Sequence, residues 1–225
     1  KNGGSGGTDQ SGANGLPCKV FLLSGPEVGF TTSDGPYFPI DGAKLSYFES
    51  GTGASANNKR IAYLNGSAAL WWLRSSDTSV TDEVLGVYSD GGYYNRRRAS
   101  LSLGIRPALI LPSTTLVDDS GNVVTVNLTA HKTLVNGTAY TVKGGKCMVD
   151  GTVYNILKGR TLIDGTGWDI TFPSAGTKLS TLDVGHSVYL NVGGVRKEFL
   201  VVHQGLPSSL YDASCDGTWL LMKDI

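Results

Sequence analysis

Leu134-Val-Asn-Gly-Thr-Ala-Tyr-Thr-Val142, Met148-Val-Asp-Gly-Thr-Val-Tyr-Asn-Ile156 and Leu162-Ile-Asp-Gly-Thr-Gly-Trp-Asp-Ile170 are three passes of one pattern. They recur every 14 residues, which keeps Gly137, Gly151 and Gly165 in register, and with them Tyr140, Tyr154 and Trp168. Asn-Gly or Asp-Gly between apolar runs specifies a two-residue hairpin turn, because both residues accept the left-handed backbone that matches strand twist. Each pass therefore reads as a strand, a turn and a returning strand. Gly144-Gly145 and Lys158-Gly159 supply the opposite turns of a β-meander or a short repeat stalk. The plainer reading is a connector sheet; if the segment is instead a trimeric fibre-like shaft, it is expected to self-associate, since a narrow β-repeat cannot bury its apolar face alone.

The same period-two reading extends on both sides of the repeat. Downstream, Val184–Val192 and Lys197–His203 alternate around Gly193-Gly194 and read as a hairpin, and Thr218–Met222 is a further strand. Upstream, Cys18–Ser24 reads as a buried strand closed by Gly25-Pro26, and Leu70-Trp-Trp-Leu-Arg-Ser75 as a dense aromatic strand. Gly104–Leu111 is another, with Pro107 marking an edge or bulge. Lys44–Glu49 and Asn58–Leu64 are the places for short helices, and no long helical pattern exists. The fold class is mainly β (α+β). Residues 1–15 form a flexible Gly/Ser-rich segment with nothing to build a core.

Composition removes several functions. The 225 residues hold 19 Lys+Arg against 19 Asp+Glu, so no basic face is in excess to release counterions from nucleic acid. No apolar run reaches the ~20 residues of a membrane span. Cys18, Cys147 and Cys215 are too sparse for a disulfide framework or a zinc site and read as small buried hydrophobes. No metal-ligand cluster or cofactor motif occurs, so no metal and no cofactor are expected. His203 with Ser208, Ser209, Asp212 and Asp216 lacks a nucleophile elbow, and a turn bonded to its own backbone explains these residues better than hydrolysis does. The chain is expected not to be an enzyme.

Residues 75–103 stand apart from the rest. Between two rigid apolar strands they carry Tyr88, Asp90, Tyr93, Tyr94, Asn95, Arg96, Arg97 and Arg98 among Ser, Gly and Asp. Tyr and Arg offer contact area and hydrogen bonds at low entropic cost, while Ser, Gly and Asn adapt to a partner's shape. These eight residues are the candidate ligand-binding set, against the plainer reading of a solvated loop with a basic run. Three adjacent arginines favour an acidic or carboxylate-bearing ligand.

KVFLLS, GPEVGF, AKLSYFES, KRIAYLNGSAALWWLRS and GIRPALILP resemble the C-terminal half of a domain common in gut-bacterial phage and prophage proteins. VYLNVGGVRKEFLVVHQGLPSSLYDASCDGTWLLMKDI resembles that domain's N-terminal half. The resemblance implies the C-type lectin fold, shared with the variable proteins of diversity-generating retroelements and with formylglycine-generating-enzyme-like domains. There, the strands matching WWLRS and GIRPAL bracket a variable ligand-binding region. It divides the chain into 16–115, the C-terminal half with the variable window; 116–178, a hairpin connector; and 179–225, the N-terminal half. The halves stand in permuted order, as in a permuted copy, a window across tandem copies or an incomplete reading frame. Lectin-type calcium motifs are absent, so calcium-dependent sugar binding does not carry over. The implied role is receptor recognition on a virion tail or a bacterial surface, with a host-surface or protein ligand as partner. The alternative is a structural virion component with no variable ligand.

Overall fold

The computed structural model describes residues 20–35, 39, 41–80, 82–124, 132–135, 138–141, 145–156, 158–163, 166–171 and 176–225. The 1–15 segment, Cys18, His131, Gly144 and the Asn136-Gly137 and Asp164-Gly165 turns lie outside the described residues. The chain divides into two compact units, one made of Lys1–Thr114 with Leu179–Ile225, the other of Thr115–Lys178.

Chain order in the first unit runs β1 (Val20–Phe21), helix α1 (Ala54–Asn58), β2 (Ala62–Leu64), β3 (Ser67–Ala69), β4 (Trp71–Ser76), β5 (Glu83–Val87), β6 (Tyr93–Arg98) and β7 (Ala108–Leu111). The second unit holds β8 (Leu116–Val117), β9 (Val123–Val124), β10 (Lys132–Val135), β11 (Thr138–Thr141), β12 (Gly145–Val149), β13 (Thr152–Ile156), β14 (Lys158–Ile163), β15 (Thr166–Thr171) and β16 (Thr177–Lys178). The first unit resumes with β17 (Ser187–Val192), β18 (Val195–Gly205) and β19 (Gly217–Met222). The protein is mainly β.

Two sheets organise the first unit. One has the order β1-β7-β19-β18-β17 and is antiparallel throughout. Strands from residues 20–111 and from residues 187–222 thus share one ladder, joined where Leu220 of β19 faces Leu109 of β7. The core mixes the two segments in the same way, with Leu23, Trp71 and Leu85 packed in one cluster with Leu200, Val202 and Trp219. Trp219 takes Phe21 edge-on at 5.6 Å and Tyr211 at 5.4 Å. The second sheet, β4-β5-β6, carries residues 71–98. Trp71 is fully buried and Trp72 nearly so; their rings remove large apolar areas from water and anchor this sheet to the core.

Several local expectations change. Lys44–Glu49 is not helical, and of Asn58–Leu64 only Asn58 is, as the last residue of α1, the one α-helix among the described residues. Asn65 (φ 51°) and Gly66 (φ 82°) instead close the β2–β3 hairpin, the same Asn-Gly chemistry that marks the repeat. Of the described residues in the Cys18–Ser24 run, Val20–Phe21 join the ladder. In the second unit the three passes are three separate two-stranded sheets, not one meander. Lys158 and Gly159 begin β14 and do not turn the chain, while Gly145 begins β12 and its partner Gly144 lies outside the described residues. The pass turns hold where they are described: Asp150 (φ 48°) and Gly151 (φ 79°) join Val149 to its partner Thr152.

Candidate ligand-binding surface

The candidate residues sit on a hairpin, not on a free loop. Strand β5 pairs β6 through Val87↔Tyr93 and Gly86↔Tyr94, then Val84↔Arg97 and Glu83↔Arg98. Two steps on β5 face three on β6, so β6 holds one extra residue in a bulge. The bulge cancels one alternation and brings Tyr94 and Arg97 to the same face. The Arg97 guanidinium lies over the Tyr94 ring at 4.8 Å, and its Nε donates to the Tyr94 hydroxyl at 3.1 Å. That hydroxyl is the main reason the Arg97 pKa is raised, and the guanidinium is charged at every physiological pH. Tyr88 meets Tyr94 edge to face, with ring centroids 4.4 Å apart. Gly86 makes room for this stack, since a Cβ there would come within 3.2 Å of the Tyr94 ring and 2.9 Å of the Trp71 carbonyl.

The eight candidates do not share one environment. Tyr88 (38% exposed) and Asp90 face solvent, and Arg98 is exposed beside Asp82 at 3.8 Å. Tyr94 is 9% exposed and acts as the platform under Arg97. Tyr93 is half-buried against the core, with its ring 5.7 Å from Phe30 and pressed onto Gly35. The Asn95 and Arg96 side chains lie outside the described set; their backbones complete β6. The accessible group is therefore Tyr88, Asp90, Arg97 and Arg98, mounted on Tyr93 and Tyr94.

Buried arginines that the sequence reading passed over position this group. Arg60 is fully buried, and its Nε donates to the Val28 carbonyl at 2.8 Å. Its two terminal nitrogens reach Asn57 Oδ1 (2.9 Å) and the carbonyls of Gly91 (3.2 Å), Glu49 (3.3 Å) and Gly51. The guanidinium also faces the Phe30 ring at 4.1 Å. Burial lowers its pKa to about 10, which leaves it charged at neutral pH. The turn at Gly91 is clamped as a result: Gly91 has φ 79°, and a Cβ there would lie 1.9 Å from the Asn57 carbonyl oxygen. Asp90 Oδ1 accepts from the Gly92 amide at 2.9 Å and closes the same turn. Arg106, also buried, donates to the Met222 carbonyl at 2.8 Å and faces the Trp71 ring at 5.1 Å. The signal for both was present as arginines inside apolar runs, IAYL after Arg60 and GI before Arg106.

A third arginine joins the two chain segments. Arg74 forks onto the fully buried Glu27, whose Oε1 also accepts from the Tyr211 hydroxyl at 2.7 Å. Burial acts to lower the Arg74 pKa, but Glu27 beside it outweighs that and the pKa is raised. Tyr211 in turn accepts from the Ala43 amide at 2.8 Å, so one carboxylate ties residues 27, 43 and 74 to residue 211.

The histidine candidates resolve into local structure. His203 Nδ1 lies 2.7 Å from Ser46 Oγ and also accepts the Ser46 backbone amide at 3.2 Å. A base already occupied by a backbone donor pins a loop; it is not poised for proton transfer. Asp212 accepts from the Ser214 amide at 2.9 Å and Ser208 Oγ from the Leu210 amide at 3.2 Å, each serving its own turn. Cys215 is a free, half-buried thiol whose pKa burial pushes up. Among the described residues, no three carboxylate, histidine or cysteine side chains gather as a metal site needs.

A family model described as a domain of unknown function, DUF6273, matches residues 1–113. No curated protein and no solved structure matches the chain.

Proposed function

The chain belongs to the DUF6273 domain family over its first half, and on that premise we propose that its first unit is a ligand-binding module of a phage or prophage protein. The scaffold is of C-type-lectin kind, and residues 75–103 display the contact surface. One observation carries this reading: the exposed Tyr88 ring and the half-buried Arg97 guanidinium both pack on the buried Tyr94, beside a turn held by the fully buried Arg60. Such a group loses little entropy when a partner docks, because its geometry exists beforehand. Tyr and Arg anchors of this kind dominate interface energetics, at on the order of 2 kcal/mol or more each. The ligand is a host-surface molecule or a protein, and the protein acts on a virion or a bacterial surface. The three hairpins of the second unit favour one alternative, a structural virion component that uses the module for assembly alone.

The test is attachment of labelled chain to a panel of intact bacterial cells and to arrayed surface glycans and proteins. Tyr88→Ala and Arg97→Ala are expected to weaken the strongest interaction at least about tenfold, roughly 1.4 kcal/mol, with the melting temperature nearly unchanged. Attachment that survives scrambling of residues 88–98 removes the proposal and leaves the structural alternative.

A further inference from the structure

The register of the β5–β6 hairpin divides its arginines. Residues two apart on a strand share a side of the sheet, and cross-strand partners stand on the same side. Val84 and Gly86 therefore share one side, and with them their partners Arg97 and Tyr94. Glu83 and Val87 share the other, with Arg98 and Tyr93. The contacts agree with this sorting: Arg97 lies over the Tyr94 ring, whereas Arg98 lies 3.8 Å from Asp82. Trp72, the partner of Gly86 on β4, completes the Tyr94 side, and Tyr88 packs on Tyr94 just past the end of β5. That side thus offers an aromatic floor, the exposed Tyr88 ring and, among the described residues paired in the sheet, a single cation. Asp90, exposed in the turn that follows Tyr88, adds a carboxylate, one oxygen of which accepts the Gly92 amide.

We propose that the ligand of this surface is a sugar acid, a pyranose ring whose one carboxylate is taken by Arg97, whose apolar C–H face lies on Tyr88 and whose hydroxyls donate to Asp90. The inference rests on this surface being the ligand-binding one, and it narrows what the surface binds. Arg97 and Arg98 stand on opposite sides of the sheet, so they do not grip one anionic group together. The surface therefore matches a single negative charge and not a polyanion, which calls for several cations on one face. A guanidinium held against a ring keeps its plane and forks onto a carboxylate. An acidic peptide would bring its carboxylates up to Asp90 and be repelled. A sugar brings hydroxyl donors there instead, which a carboxylate accepts. Tyr88 supplies the apolar body on which ring C–H groups pack, with few torsions to freeze.

The experiment presents the full chain with arrayed glycans ending in glucuronic acid and with the same glycans after reduction of that carboxyl to the alcohol, which turns the terminal sugar into glucose. Glutamate-rich peptides and a sulfated polysaccharide share the array. Attachment to the carboxylated glycans is expected at least about tenfold above attachment to the reduced ones. Arg97→Gln should erase that preference, and Arg98→Gln should leave it. Equal attachment to the two glycan sets, attachment to neither, or stronger attachment to the peptides or the sulfated polysaccharide overturns the proposal. So does a preference that survives Arg97→Gln or vanishes in Arg98→Gln. The comparison of the two glycan sets uses the unsubstituted chain, so a misfolded variant cannot decide it. Cell attachment that needs Tyr88 but shows no carboxylate preference removes the sugar acid and leaves the surface. Cell attachment unchanged in Tyr88→Ala removes the surface itself.

Discussion

At the residue scale, polar side chains inside the first unit act as fixed joints, and each selects one protonation state. His203 shows how. Nδ1 accepts the Ser46 backbone amide and lies 2.7 Å from Ser46 Oγ, so the fold holds the neutral ring. Burial is the largest cause of its lowered pKa, Lys44 lowers it further, and a backbone contact with Leu206 opposes them. The folded pKa therefore lies below the ordinary value of 6.5. Between those two values the unfolded chain binds more protons than the folded one, so stability rises with pH there. The contribution is complete above pH 6.5 and is lost as pH falls through the folded pKa. Thermal unfolding at a series of pH values from neutral to mildly acidic should show a falling melting temperature. In His203→Gln the melting temperature should start lower and depend less on pH across that range. Equal slopes for the two proteins would show that His203 is not held neutral. Sequence alone exposed none of this, because Ser46 and His203 are far apart in the chain and no local pattern pairs them.

At the element scale, the β5–β6 hairpin shows why some structure was legible and some was not. The three passes of the repeat could be read because Asn-Gly and Asp-Gly encode the turn locally, and Asp150 and Gly151 adopt the left-handed backbone that reading requires. Tyr93–Arg98 shows no apolar alternation, and its bulge breaks the period that would have revealed a strand. Its strand character is imposed by pairing with β5, which in turn pairs with the buried Trp71 and Trp72 of β4. The turn that ends β5 is as dependent on distant residues. Gly91→Ala would place a methyl group 1.9 Å from the Asn57 carbonyl oxygen at φ 79°. Steric overlap and left-handed strain together should cost about 2 kcal/mol or more. Because Arg60 holds the Gly91 carbonyl, relief by moving the turn would also break that hydrogen bond. Gly91→Ala is therefore expected to lower the denaturation midpoint and to weaken attachment through Tyr88 together. Gly66→Ala is the comparison: it also has positive φ, but nothing lies within 4 Å of its Cβ, so the strain should come without the clash. A Gly91 variant no less stable than the Gly66 one would show that the turn is not clamped.

At the scale of the whole molecule, the organising fact is that residues 20–111 and 187–222 build one sheet and one core although 64 residues of another unit, Thr115–Lys178, separate them in sequence. The motifs of each half could be read in the chain; their pairing could not, because β7–β19 contacts and the Glu27–Tyr211 bond carry no local signature. The sheet also places the two junctions of the first unit. Leu111 at the end of β7 faces Thr218, Thr218 faces Gln204, and Gln204 Nε2 donates to the Leu179 carbonyl at 2.8 Å. The chain thus leaves and re-enters this unit two strand spacings apart, about 10 Å, plus the reach of one side chain. A flexible linker of about six Gly/Ser residues spans roughly 13 Å. Replacing residues 115–178 with such a linker should leave a single cooperative unfolding transition within a few degrees of the parent's. Shortening the loop between paired strands lowers the closure entropy only slightly, by about 0.6 kcal/mol for each halving. The excised chain should keep attachment through Tyr88 and Arg97. Loss of cooperative unfolding would show that the first unit needs the second to fold.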